Sequence, residues 1–118
     1  MSKNILIVDD NPNMSALLSE MLEIFDYKSE LAEDGLVALE KLKNQKFSLI
    51  ITDMKMPNMT GLELLEQVKE NYPKIPVVLI SGYSVDSMSK ENADHKPDGF
   101  LSKPFMMTDV EELLESLL

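Results

Sequence analysis

Short, continuously apolar runs alternate with segments of helical period along the chain, and this alternation constrains the fold more than any other feature. Apolar runs of this length are typical of strands buried on both faces of a sheet. Strands that alternate with helices form a parallel sheet covered by helices on both sides. We therefore predict an α/β fold with repeated strand–helix units. The runs lie at 5–8, 49–52, 77–80 and 100–102, with a less regular strand at 28–32.

The helical segments between these runs carry recognisable start signals. A capping side chain followed by proline, or by glutamate at capping-box spacing, predicts where a helix begins. The segment 84–96 is the weakest predicted helix, because few of its residues are apolar and Pro97 prevents its continuation. The start signals are Asn11 before Pro12, Thr60 with Glu63, and Thr108 with Glu111.

The composition excludes several classes of protein. The 118 residues suffice for one domain, and the absence of cysteine excludes disulfides, thiolate zinc sites and cysteine nucleophiles. A formal net charge of -10 disfavours direct binding to nucleic acid or to anionic membranes and favours a cation as ligand. The chain starts directly with a strand run and has no apolar stretch long enough to span a bilayer, so we expect a cytoplasmic protein.

Charged and polar side chains follow four of the apolar runs at the point where each run ends. Asp9 and Asp10 follow the first run and Asp53 follows the third strand of the chain. Ser81 and Lys103 follow the last two runs. Because the carboxyl ends of parallel strands share one edge of a sheet, we expect these side chains to meet in the crevice where open α/β sheets bind ligands. The sequence therefore predicts a site with three carboxylates, a hydroxyl and an ammonium group.

The three carboxylates indicate a magnesium site. Adjacent carboxylates repel one another, and Mg²⁺ prefers hard oxygen ligands, of which it takes one or two carboxylates together with several waters. We predict that Asp10 and Asp53 bind the ion directly and that Asp9 binds it through water. Taken alone, Asp9 and Asp10 could equally be a helix-capping cluster ahead of Pro12.

Asp53 is also placed to act as a nucleophile. A carboxylate at an exposed strand end can attack phosphorus and form an aspartyl phosphate. Ser81 can donate a hydrogen bond to one phosphoryl oxygen and Lys103 can neutralise another, with the metal on the third. Separately, these residues could be a loop acid, a turn hydroxyl and a surface lysine. Their conjunction at successive strand ends favours a phosphoryl site.

The motifs around these residues resemble those of a known family. They read ILIVDDN at 5–11, IITDMKMPNMTG at 50–61, LISGY at 79–83 and GFLSKPF at 99–105. Over essentially its whole length, the chain resembles a response-regulator receiver domain of the CheY-like family, which serves two-component signal transduction. The resemblance implies a doubly wound, flavodoxin-like sheet of five parallel strands in the order 2-1-3-4-5, with helices on both faces. It also implies a single receiver domain over residues 1–118.

The same resemblance assigns roles to individual residues. It implies that Asp53 is the phosphoacceptor and that Mg²⁺ binds beside it, with Mn²⁺ as a possible substitute. A cis peptide bond is implied at one proline, and a serine and an aromatic residue form the implied switch. The implied metal ligands are Asp9, Asp10, Asp53 and the backbone carbonyl of Lys55; Ser81 and Lys103 bind the phosphoryl group, Ser81 and Phe100 form the switch, and the cis bond is Lys103–Pro104.

The implied function is a phosphorylatable signalling switch and not an enzyme. The phosphoryl group would come from a phosphohistidine on a sensor histidine kinase or a histidine phosphotransfer protein, in a reaction that depends on Mg²⁺. Its charge would draw in Ser81 and let the Phe100 ring rotate into the vacated space. The surface of the fourth predicted helix, the fifth strand and the last helix would change and control an unknown partner protein. The active form would be a monomer or a phosphorylation-dependent dimer.

Two further residues bear on the lifetime of the phosphorylated state. Lys55 and Tyr83 lie near the expected phosphate and could obstruct attack by water, so we expect a long-lived acyl phosphate. The alternative is that both are merely exposed loop residues. Phe100 has no hydroxyl group, so packing alone would bias the switch.

Three other functions fit parts of the sequence, and one feature of the sequence disfavours each of them. A receiver-like scaffold that is never phosphorylated would have no need of a complete set of site residues. A phosphatase with an aspartyl-phosphate intermediate, resembling haloacid dehalogenases, would carry an Asp-x-Asp motif after the first strand, where this chain has Asp9-Asp10 followed by Asn11. A flavodoxin-type flavin carrier would need a phosphate cradle rich in Ser, Thr and Gly at that point, where two aspartates would repel the phosphate.

Overall fold

The computed structural model describes residues 3–56, 58–81, 97–102 and 105–118. Strands and helices alternate through the first half of the chain, as the apolar runs predict. The predicted helix at 84–96 lies outside the described residues. The described elements are β1 (Asn4–Val8), α1 (Pro12–Ile24), β2 (Lys28–Ala32), α2 (Gly35–Asn44), β3 (Leu49–Asp53), α3 (Gly61–Asn71), β4 (Val77–Ser81), β5 (Gly99–Ser102) and α4 (Met107–Leu117).

The strands form one parallel sheet in the order β2-β1-β3-β4-β5, which confirms the predicted topology. Within it, β1 lies between β2 and β3, with Val8 opposite both Ala32 and Thr52. In the next ladder, Asp53 at the end of β3 lies opposite Ile80 of β4. The carboxyl ends of the strands therefore share one edge, at which β1 and β3 are neighbours.

Two apolar layers cover the sheet because successive strand residues point to opposite faces. In β1, Ile5 and Ile7 pack with residues of α1 and α4, whereas Leu6 and Val8 pack with residues of α2 and α3. All four of these side chains are fully buried. Burial on both faces explains why this strand, like β3 and β4, is a continuous apolar run and not an alternating one.

Two of the three predicted helix starts are confirmed, and the third is wrong. Asn11 caps α1 by accepting from the backbone N–H of Asn13 and Met14, at 3.0 and 3.4 Å. At α3, Thr60 Oγ1 accepts from Glu63 N at 3.2 Å, and Glu63 Oε1 accepts from Thr60 N at 3.0 Å.

The last helix starts before the Thr108–Glu111 pair that was expected to cap it. Its first residue is Met107, so Thr108 lies inside the first turn. Asp109 supplies the bond that closes this end of the helix, because its carboxylate accepts from Met106 N at 2.8 Å. A second acid at the same spacing, two residues earlier, therefore replaces the predicted cap.

The carboxylate of Asp98, the residue before β5, links the start of this strand to β4 and α3. Asp98 Oδ2 accepts from the backbone N–H of Val77 at 2.8 Å and forms an ion pair with Lys69 near the end of α3. The Asp98 backbone N–H in turn donates to Val77 O at 2.8 Å. The side chains of Lys69 and Asp98 are 15% and 33% exposed, so the pair is partly withdrawn from water.

None of the helices in the described ranges is both long and apolar enough to cross a lipid bilayer.

Candidate functional site

Three carboxylates meet at the carboxyl edge of the sheet, as predicted from the strand ends. Asp9 and Asp10 directly follow β1, and Asp53 is the last residue of the neighbouring strand β3. One oxygen from each of the three lies within 4.8 Å of the others. Asp9 and Asp53 are only 3% and 9% exposed, whereas Asp10 is exposed. The cluster thus has a buried floor and one open side.

The backbone that follows β1 orients Asp9. Its Oδ1 accepts from Asn11 N at 2.9 Å, and its own N–H donates to Ala32 O of β2 at 3.0 Å. The side chain that caps α1 is that of Asn11, and Asp9 contributes to this helix start through the bond from Asn11 N.

Asp53 is held by contacts on both sides of its peptide unit. The Thr52 hydroxyl donates to Asp53 O at 3.0 Å inside the sheet, and Met54 N donates to Ile80 O at 3.1 Å. Gly61, the first residue of α3, packs directly on this unit: a Cβ at that position would stand 2.3 Å from Asp53 O. Only glycine permits so close an approach, so α3 starts directly against the backbone that carries the Asp53 side chain.

The charges of this cluster call for a cation. Three carboxylates with oxygens within 4.8 Å of one another repel each other when all are ionised, and a bound cation offsets that repulsion. Oxygens on opposite sides of one Mg²⁺ ion are about 4.2 Å apart, because each Mg–O bond is about 2.1 Å long. The donor set is hard, anionic and close enough together to surround a single divalent ion, so the residues present fit Mg²⁺.

Three of the other predicted site residues lie in the described part of the chain. Ser81 ends β4 one residue beyond the Asp53–Ile80 pair, so its backbone lies at the same edge. Lys55 is exposed in the loop after β3. Phe100 is half-buried in β5 and packs on the α2–α3 side of the sheet. Lys103, Pro104 and Tyr83 lie outside the described residues.

Two residues that the sequence did not single out, Asp34 and Asn58, link the start of α2 to the loop after β3. Asp34, the N-cap of α2, is 8% exposed and accepts from Val37 N at 2.9 Å. Its second oxygen accepts from Asn58 Nδ2, in the loop after β3, at 3.0 Å. The hydrogen bond from Val37 N–H, followed by the one from the Asn58 amide, lowers the pKa of Asp34 below its usual value. Asp before Gly35 was a recognisable cap signal, but its second partner is 24 residues away and has no local signature.

Comparisons with known proteins agree on one family. Residues 5–116 match the family model of the response regulator receiver domain. The response regulator receiver protein CpdR of Brucella abortus is 31% identical over 116 residues, which cover 98% of this chain and 97% of CpdR.

Solved structures show the same similarity. Chemotaxis protein CheY4 of Vibrio cholerae superposes with a TM-score of 0.92 at 29% identity, over 100% of both chains. Response regulator TrrA of Thermotoga maritima, solved in complex with Mg(2+)-BeF, gives a TM-score of 0.89 at 32% identity over 98% of this chain and 99% of TrrA. The sheet order, the acidic edge and these matches agree, and the chain belongs to the response regulator receiver domains of two-component signalling.

Proposed function

We propose that this receiver domain is a switch that accepts a phosphoryl group on Asp53. The observation that carries the proposal is the cluster of Asp9, Asp10 and Asp53, with one oxygen of each within 4.8 Å of the others. Asp53 ends the middle strand of the sheet on a backbone fixed by its neighbours. A carboxylate held in this way can act as a nucleophile with little loss of orientation.

The proposed step is a displacement at phosphorus. A carboxylate oxygen of Asp53 forms the new O–P bond while the P–N bond to the donor histidine breaks, and the electron pair of that bond leaves with the ring nitrogen. A donor ring protonated at its other nitrogen leaves as neutral imidazole. No proton has to be taken from Asp53, which reacts as the carboxylate.

Asp9, Asp10, Asp53 and the Lys55 backbone carbonyl are the proposed metal ligands. When bound, Mg²⁺ supplies positive charge that offsets the repulsion between the incoming phosphate and the carboxylates. Asp9 would act through water, as its Oδ1 is already engaged by Asn11 N. Ser81 and Lys103 are the proposed partners of the phosphoryl oxygens, one as a hydrogen-bond donor and the other as a cation.

The proposed output is a change in the surface around β5. Ser81 moves toward the phosphoryl group and Phe100, which is half-buried in β5, rotates into the space it leaves. The change extends to the surface of β5 and α4 and to the helix that the sequence predicts at 84–96, and the downstream protein binds there. Phosphorylation shifts the population only by its differential free energy between the two states.

Several expectations from the sequence remain predictions. They are the single domain over residues 1–118, the cytoplasmic location, the choice between monomer and dimer, the use of Mn²⁺, the cis bond at Lys103–Pro104, and the effect of Lys55 and Tyr83 on phosphate lifetime. The donor, a sensor histidine kinase or histidine phosphotransfer protein, is also a prediction.

The proposal is tested by measuring the intact mass of the protein after incubation with acetyl phosphate, with Mg²⁺ or with EDTA. We expect one added phosphoryl group in the wild type with Mg²⁺, and none with EDTA or in Asp53→Asn. The matched control is Asp26→Asn, because Asp26 lies before β2 at the opposite edge of the sheet and its positive φ of 66° suits asparagine. This variant should be phosphorylated like the wild type.

An adduct that forms on Asp53→Asn, or one that forms equally in EDTA, would contradict the proposal. If the wild type shows no adduct, the same measurement with a phosphohistidine donor and a beryllofluoride titration decide the matter. Failure of all three would leave a receiver-like scaffold as the function.

A further inference from the structure

The loop that follows the phosphoacceptor strand is closed at its base. Gly61 N donates to Met54 O at 3.0 Å, so a backbone hydrogen bond joins the two ends of the segment 54–61 that connects β3 to α3. The Thr52 hydroxyl also contacts the sulfur of Met56 at 3.8 Å, inside this loop. Lys55, whose backbone carbonyl is a proposed metal ligand, lies between these two contacts in sequence.

The far side of the same loop is fastened to the start of α2. Asn58 Nδ2 donates to Asp34 Oδ2 at 3.0 Å, and Met59 lies so close to Gly35 that a Cβ there would stand 2.7 Å from its sulfur. Asn58 has a φ of 69°, a left-handed conformation that asparagine tolerates better than most residues. The loop thus reaches this contact through an unfavourable backbone geometry.

Asp34 is suited to hold the loop because both of its oxygens are used. Oδ1 accepts from Val37 N and fixes the carboxylate on α2, which leaves Oδ2 directed at Asn58. The hydrogen bonds favour its charged form, so it is an ionised acceptor at neutral pH. A charged acceptor makes a stronger hydrogen bond than a neutral one.

We propose that Asp34 and Asn58 are positioning residues that set the Mg²⁺ affinity of the site by holding the loop that carries Lys55. This inference rests on the proposed function, because it takes the Lys55 carbonyl as a metal ligand. Neither residue is a proposed ligand or phosphate contact. Outer residues that orient metal ligands change metal affinity by about 10- to 100-fold when they are lost.

The test is the dissociation constant of Mg²⁺, measured by isothermal titration calorimetry without any phosphodonor. Asn58→Gly removes the side-chain contact and keeps the positive φ, and we expect it to weaken Mg²⁺ binding by about 10-fold. The matched control is Asp26→Gly, which places glycine at the other positive-φ position among the described residues, away from the site. It should bind Mg²⁺ like the wild type.

A swapped pair separates positioning from general stability. In the double variant Asp34→Asn/Asn58→Asp the net charge is unchanged. The amide oxygen introduced at position 34 can still accept from Val37 N, and the amide nitrogen beside it can donate to the carboxylate introduced at position 58. We expect this double variant to regain wild-type Mg²⁺ affinity. Urea unfolding of each variant accompanies the titrations and shows that the proteins compared are folded.

Failure of the positioning role and failure of the proposed phosphorylation give different experimental results. If Asn58→Gly binds Mg²⁺ like the wild type, or if the swapped pair binds as weakly as Asn58→Gly, the positioning role is overturned while phosphorylation of the wild type stands. If the wild type binds Mg²⁺ and the variants behave as expected, but acetyl phosphate, the phosphohistidine donor and beryllofluoride all fail, the positioning role stands and the proposed phosphorylation fails. A wild type that binds no Mg²⁺ overturns both.

Discussion

Replacing Asp98 by alanine should destabilise the domain by about 2–4 kcal/mol, a large part of the about 5–15 kcal/mol that stabilises a typical domain. Val77 is fully buried, and its N–H would lose its acceptor, which costs about 1–3 kcal/mol. The Lys69 ammonium group, 15% exposed, would lose its counter-charge, which adds about 1 kcal/mol once solvent screening is allowed for. The sum corresponds to a fall in Tm of about 10 °C for a chain of this size.

Urea unfolding followed by far-UV circular dichroism measures this loss, and two further variants divide it. Asp98→Asn keeps an oxygen for Val77 N–H but removes the charge, so it should cost about 1 kcal/mol. Lys69→Met keeps the apolar stem of the lysine and removes only its charge, with a similar expected cost. In the double variant Asp98→Asn/Lys69→Met, the two effects should not add, because both remove the same ion pair.

An unfolding midpoint of Asp98→Ala equal to that of the wild type would refute this reasoning. If Asp98→Asn and Asp98→Ala lower the free energy of unfolding equally, the role given to the bond from Val77 N–H is refuted. The stability would then come from the charge of Asp98 alone.

Two other predictions concern the loop beside Asp53. Gly61→Ala should destabilise the protein by about 2 kcal/mol or more in urea and slow phosphorylation, because its Cβ would stand 2.3 Å from a backbone oxygen. Gly99→Ala should cost less, because the one close contact of its Cβ, at 2.6 Å, is with the flexible end of the Leu113 side chain. Because hydrogen bonds lower the folded-state pKa of Asp34, its contribution is fully present above the unfolded value of about 4 and is lost as pH falls through the lower folded value. The difference in urea midpoint between wild type and Asp34→Asn should therefore shrink from about pH 5 downward.

The strands and the acidic cluster could be predicted because each has a local signature. Burial on both faces makes a strand such as β3 continuously apolar, and parallel pairing brings the residues after each strand to one edge. Asp9, Asp10 and Asp53 were placed together on this ground alone, and the structure brings them together.

Contacts between distant side chains had no such signature. The Asp34–Asn58 and Lys69–Asp98 pairs join residues 24 and 29 positions apart, and a single sequence offers nothing that predicts these pairings. The start of α4 was mispredicted for a different reason. Two overlapping residue pairs, Met106–Asp109 and Thr108–Glu111, have the spacing of a capping box, and spacing alone does not reveal which of them starts the helix.

The order of the strands divides the sheet into an early part and a late part during synthesis. Because β1 lies between β2 and β3, the first 53 residues contain every strand needed to bring the three acids together. The strands that carry the acidic cluster are therefore all translated before β4 and β5. In the finished sheet, β5 is an edge strand bonded to β4 alone among the described strands, so displacing it breaks one ladder where displacing β3 would break two.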